Sequence, residues 1–219
     1  MEINNELDFV SPDKLVYSEE SIIRQLSFLN PYLDGHNGFS AGGCFKNIFR
    51  NEKIKDVDIF FRSEEDFDKA KLYYQIHRDY VFSYENKNTI SYLNTRTDVR
   101  VELIRNTYGW PEKILADFDF SIVKFAYYDD INCRKCVYHD KFFEHLTLKK
   151  LVLNKEIKYP ISTWNRTYRY AKYGYGLCRE SKANLIIAMT DEINNRDIAD
   201  EEDSELISLL GNELYFGID

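Results

Sequence analysis

With 219 residues, 44% of them hydrophobic, 30% charged and a formal net charge of −8, the chain can bury a proper core and is too acidic overall for a general nucleic-acid binder. No apolar run approaches the roughly 18 residues that a membrane span requires, and the opening Met1-Glu2-Ile3-Asn4-Asn5 lacks the basic and apolar regions of a signal peptide. Four cysteines without a disulfide-scaffold spacing fit a reducing interior, so a cytoplasmic location is expected.

In chain order, residues 1–15 read as a polar lead-in. Ser18-Glu19-Glu20-Ser21 has the pattern of a capping box, and Ile22, Ile23, Leu26 and Leu29 follow at helical spacing. Pro31 and Asp34-Gly35 close that helix and lead into a strand at Phe39. The next stretch, from Gly38 to Arg62, is the chemically informative one. A short apolar segment meets the pair Gly42-Gly43, a helix-length segment runs from Cys44 to Arg50, and Asp56-Val57-Asp58 opens the apolar run Ile59-Phe60-Phe61. Side chains alternate along a strand, so Asp56 and Asp58 share a face. Two adjacent carboxylates repel unless a cation lies between them, and a hard divalent ion takes such oxygens. The glycine pair permits a sharp strand-to-helix turn and close approach of a phosphate. Either feature alone is more often a turn or a solvated strand edge; together, at this spacing, they favour phosphate and metal binding.

This stretch resembles the nucleotidyltransferase superfamily that includes DNA polymerase β, the CCA-adding enzymes and the bacterial poly(A) polymerases. Gly42, Gly43, Asp56 and Asp58 stand where that family has its glycine pair and Asp-x-Asp. The resemblance implies an α+β fold, a mixed β-sheet flanked by helices. It also implies Mg²⁺ or Mn²⁺ as cofactor, a nucleoside triphosphate as substrate, and transfer of a nucleoside monophosphate to an acceptor hydroxyl. Asp56 and Asp58 would be the catalytic metal ligands, with Gly42, Gly43 and Lys46 at the phosphates.

Further along, Ser63-Glu64-Glu65-Asp66 caps a helix whose expected apolar positions are Phe67, Ala70, Leu72, Tyr73 and Ile76. Residues 80–94 read as a hairpin turning at Glu85–Asn88, and Val99–Arg105 as a strand. Asp98, Arg100 and Glu102 share a face of that strand. Glu102, set inside the apolar run, is the favoured third carboxylate of the catalytic and metal set implied by the family; the bland alternative is an edge glutamate paired with a cation. Pro111–Ala116 reads as a short helix, followed by a strand from Val123 to Tyr128. Asp119-Phe120-Ser121-Ile122 partly matches the second signature of the CCA-adding and poly(A) polymerase branch, which implies a nucleotide-binding role for Asp119. Asp117, Phe118 and Val123 replace that signature's two arginines and asparagine, and this departure leaves nucleotide selection open.

Cys133, Cys136 and His139 have half of a zinc-site spacing with no evident second half. Beyond residue 150 the pattern turns helical, with helices expected from Ser162 to Tyr173, from Ser181 to Ile193, and from Asp200 through Leu214. A nucleotidyltransferase-like domain over residues 1–150 and a helical region over 151–219 are therefore expected. Between Leu146 and Lys182 nine basic residues face two acidic ones, Glu156 and Glu180. Arg166, Arg169, Tyr170, Lys172 and Tyr173 at the centre of this island are candidates for binding an acceptor, RNA being preferred and a tRNA 3′ end one form of it. The competing expectations are a non-catalytic member of the fold that binds nucleotide or RNA, and a toxin or phage-defence enzyme that modifies a protein or small molecule.

Overall fold

The computed structural model describes residues 14–18, 21–130, 133–154 and 156–195. Glu19 and Glu20 of the expected capping box, and the expected helix at 200–214, lie outside the described residues. The chain divides into two compact units. Among the described residues, one comprises those within 14–118 and 122–142; the other comprises 119–121 and those within 143–195.

The first unit is built on one mixed sheet. Its strands are β1 (Leu15–Ser18), β2 (Phe39–Ala41), β3 (Asp56–Phe61), β4 (Tyr80–Glu85), β5 (Thr89–Asn94), β6 (Val99–Tyr108), β7 (Phe125–Asp130) and β8 (Cys133–His139), in the spatial order β1-β8-β7-β2-β3-β6-β5-β4. Its helices are α1 (Ser21–Leu26), α2 (Asn30–Leu33), α3 (Cys44–Phe49), α4 (Glu64–Ile76) and α5 (Pro111–Ala116). Among the described strands of this sheet, only β3 and β6 pair in parallel. The crossover between them carries α4 and the β4–β5 hairpin, as a parallel pair demands a long connection.

Alternation along β3 assigns the two faces. Val57, Ile59 and Phe61 are fully buried. On the opposite face Phe60 joins Phe39, Ala41, Ala126, Tyr128 and Val137 under Ile114 and Leu115 of α5. Asp56 and Asp58 share the Phe60 face, at the N-terminal end of the strand. Ser63 caps α4 as expected, its Oγ accepting from the Asp66 N–H at 3.2 Å. Phe67, Ala70 and Tyr74 are the buried residues of that helix, whereas Leu72 and Ile76 are 61% and 84% exposed. The apolar face is thus narrower than the spacing suggested.

Leu15–Ser18, running from the end of the expected lead-in to the first residue of the expected capping box, form the edge strand β1, paired antiparallel with β8. Val16 and Tyr17 remain largely exposed, so there is little apolar signal to mark the strand. Cys133, Cys136 and His139 all lie on β8, where their separations put Cys133 and His139 on one face and Cys136 on the other. Cys133 is exposed while Cys136 and His139 are buried, and the three do not converge on a zinc ion.

The second unit holds the helices α7 (Pro160–Lys172) and α8 (Arg179–Asn195), and the two-residue strands β9 (Lys150–Leu151) and β10 (Gly176–Leu177), which pair in parallel. Helix α6 (Phe142–Thr147) begins at the division between the units. Phe120 bridges to Leu153, and Ser121 N donates to the Val152 carbonyl at 3.1 Å, which ties residues 119–121 into this unit.

Candidate active site

The carboxylate site is assembled by register. Asp56 stands opposite Arg100 and Asp58 opposite Glu102 across the parallel β3–β6 pair, so the third carboxylate faces the second directly. Asp58 is half-buried, Asp56 exposed and Glu102 half-buried. Burial pushes the Asp58 carboxyl well above the usual carboxylate range, and the negative charges of Glu102 and then Asp56 push it further the same way.

Glu102 is held by Tyr84, a residue with no motif of its own in the sequence. Tyr84 Oη donates to Glu102 Oε1 at 2.7 Å. Strand pairing explains the contact: Tyr84 lies opposite Ser91, which lies opposite Glu102. The hydroxyl's pKa is pushed up to about 12, first by burial and then by this hydrogen bond. The hairpin register carried the signal, but a bulge between Phe82 and Tyr84 obscures it.

The glycine pair forms the turn into α3. Gly42 has a φ of +102°, a left-handed conformation costly for a residue with a Cβ. A Cβ there would stand 3.5 Å from Asp58 Oδ2 and 3.5 Å from the Phe118 ring. These are ordinary contact distances, so the left-handed backbone, not crowding, is what calls for glycine beside the carboxylate. The Gly42 N–H is itself engaged with the Phe125 carbonyl at 3.0 Å, and Gly43 is the residue preceding α3.

Lys46 is 6% exposed; its Nζ donates to Asn47 Oδ1 and lies 3.7 Å from Glu52. Burial pulls the Lys46 pKa down, and Glu52 partly restores it. Asp119 belongs to the second unit, where it accepts from Arg166 Nη1, from Thr163 Oγ1 at 3.1 Å and from the Phe120 N–H at 3.1 Å. Tyr170 packs edge-on against Phe120, with ring centroids 5.4 Å apart. Arg169, Lys172 and Tyr173 are exposed.

The donor chemistry at Asp56, Asp58 and Glu102 fits a hard divalent ion, because carboxylate oxygens are its preferred ligands and a cation would relieve the repulsion at Asp58. Among the described residues, no group of three or more His, Cys, Asp or Glu is gathered tightly enough to enclose a metal ion. The arrangement is an open set of carboxylates on two neighbouring strands.

Comparison with solved structures returns the same fold. The Thermotoga maritima CCA-adding enzyme in complex with tRNA matches at 14% identity and a TM-score of 0.55, over 89% of this chain and 52% of that one. A CCA-adding enzyme with CTP matches at 14% identity and a TM-score of 0.60, over 90% of this chain and 56% of that one. At these identities the likeness is one of fold: a nucleotidyltransferase fold, with the mixed sheet and flanking helices that the glycine pair and Asp-x-Asp implied. A protein of Bacillus phage SPbetaL7, Gabija anti-defense 2, is 26% identical over 155 residues. That alignment takes in 69% of this chain, which spans only 37% of the phage protein's length. The profile of the Gabija anti-defense 2 family (Gad2) matches residues 19–149, a stretch that contains the glycine turn, all three carboxylates and Tyr84. It covers more than half of the chain, which therefore belongs to the Gabija anti-defense 2 family.

Proposed function

We propose that this chain is the nucleotide-handling module of an anti-defence protein. In this reading it transfers a nucleoside monophosphate from an NTP to an acceptor hydroxyl. The observation that carries the proposal is the direct opposition of Asp58 and Glu102, with Asp58 driven toward its neutral form by burial and by two negative neighbours. Such an arrangement burdens the fold unless a cation binds there. Asp56 and Asp58 would hold Mg²⁺ or Mn²⁺ together with the triphosphate, and Glu102, steadied by Tyr84, would complete the set toward the acceptor. When bound, the ion supplies charge neutralisation at the phosphate oxygens. The Gly42-Gly43 turn would let the phosphates approach the backbone beside Asp58.

The acceptor is either an RNA, as the basic island of the sequence suggests, or a component of the Gabija defence, as the relative's name suggests. A second reading, nucleotide binding without transfer, is favoured by one observation: Lys46, the candidate counter-charge for the phosphates, is buried and engaged with Asn47 and Glu52. Incubating the protein with each labelled NTP and Mg²⁺ or Mn²⁺, in the presence of total RNA or of purified Gabija proteins, separates these readings. Label on RNA or protein that disappears with Asp58→Asn supports transfer. Metal-dependent NTP binding with no labelled product supports the second reading.

A further inference from the structure

Helix α7 presents two working faces. Thr163, Arg166 and Tyr170 turn toward Asp119 and Phe120, as described above. Trp164, Tyr168 and Ala171, spaced by four and three residues, turn elsewhere. They line a cavity of about 370 Å³ that lies wholly within the second unit, with Tyr175, Lys182 and Ile186 among its other walls.

The walls have a definite chemistry. The Trp164 and Tyr168 rings meet edge-on at a centroid distance of 5.5 Å, an aromatic corner in a lining that also holds Leu151, Leu177 and Ile186. Tyr168 is 58% exposed and Ile186 57% exposed, so much of this apolar surface faces solvent. Lys182 sits in the lining itself. Lys172 and Arg179, from the ends of the same two helices, are also exposed. An apolar partner would match the rings and leave the cations unused. A simple polyanion would match the cations and leave the rings unused. A planar base attached to a phosphate backbone matches both, and the volume falls within the range of small-ligand pockets.

We propose that the α7–α8 cavity is a base-stacking site for single-stranded nucleic acid. One base lodges against Trp164 and Tyr168, and Lys182 meets the adjacent phosphate. The assignment replaces the Arg166 and Tyr170 face of the helix, which Asp119 and Phe120 occupy, with the Trp164 and Tyr168 face. It does not depend on nucleotide transfer; where transfer holds, it makes a nucleic acid the acceptor class.

The test is fluorescence anisotropy of the full chain with a labelled single-stranded RNA about twelve nucleotides long, a length suited to single-strand grooves. It is run beside an abasic oligomer of the same length, at about 0.05 M and about 0.2 M salt. The wild-type protein should prefer the base-bearing oligomer. Tyr168→Ala, at an exposed position that the fold does not need, should weaken binding by about 5- to 150-fold, the loss of one stacked base. Lys182→Gln should weaken it less and reduce the salt slope by about one charge. Trp164→Ala should act like Tyr168→Ala, with circular dichroism as its folding control. Asp58→Asn, in the other unit, should bind the oligomer as wild type does, even if it has lost all transfer. The proposal is overturned by equal binding of the abasic oligomer, by no binding at all, or by unchanged affinity in both Tyr168→Ala and Lys182→Gln. Loss of binding in Asp58→Asn would also overturn it, by placing the nucleic acid at the carboxylates.

Discussion

His36 should make the first unit sensitive to mild acid. Its ring lies among Phe61, Tyr73 and Tyr74, with centroids between 5.4 and 6.0 Å away. Nδ1 accepts from the Gly38 N–H at 3.0 Å, and Nε2 lies 3.2 Å from the Tyr32 carbonyl and 3.1 Å from Tyr74 Oη. Burial pulls its pKa from 6.5 down to about 4; the Tyr32 carbonyl opposes this, and the nearby Arg134 charge reinforces it. The folded pKa lies below the unfolded one. His36 therefore contributes stability that is intact above pH 6.5 and is lost as the pH falls toward 4. Linkage gives a loss of about 2 kcal/mol between pH 7 and pH 5, and about 3 kcal/mol by pH 4. Urea denaturation across that range, for wild type and His36→Gln, isolates this contribution from every other titrating group. The variant should be less stable at pH 7, because the Gly38 contact is lost, and the gap should close by about 2 kcal/mol at pH 5. Parallel profiles, with a gap that does not change with pH, would refute the reasoning.

Three further outcomes follow from the same contacts. Asp58→Asn should raise the melting temperature of the metal-free protein at neutral pH, each kcal/mol gained reading as about 2–4 °C. Because the folded pKa is raised, the gain should vanish below the ordinary carboxylate pKa, and scanning calorimetry at neutral and acid pH checks both halves. Tyr84→Phe removes a hydrogen bond to a charged acceptor and should cost about 1.5–3 kcal/mol in urea denaturation. It should also weaken NTP-dependent Mg²⁺ binding measured by calorimetry, and unchanged values in both assays would remove Tyr84 from the site. Arg166→Gln should destabilise the second unit by about 1–3 kcal/mol, since Asp119 is largely buried and loses its ion-pair partner. Arg169→Gln, at an exposed position on the same helix, should cost under about 0.5 kcal/mol, and equal losses would show that the Asp119 pair contributes nothing special.

The sequence by itself determined the features whose cause is local. Glycine at position 42 follows from a backbone conformation that only glycine adopts cheaply, and Asp56 and Asp58 share a face because strands alternate. Ser63 announced α4 through its capping hydroxyl, and the polar turn at Glu85–Asn88 marked the β4–β5 hairpin. What tertiary structure alone decided is which strands lie side by side, and in what register. Nothing near Glu102 in the chain states that it faces Asp58, because the pairing of β3 with β6 is set by the crossover between them. Tyr84 reached Glu102 through two successive strand pairings, and the zinc-like spacing of Cys133, Cys136 and His139 dissolved once β8 placed them on opposite faces. Helix α7 shows the same limit. Its spacing revealed aromatic and basic residues on neighbouring stripes, but a helix does not encode which stripe meets its neighbours. Asp119 and Phe120 engage Arg166 and Tyr170, while Trp164 and Tyr168 line a cavity. Burial is a property of what comes to lie opposite, and that is written in the rest of the chain.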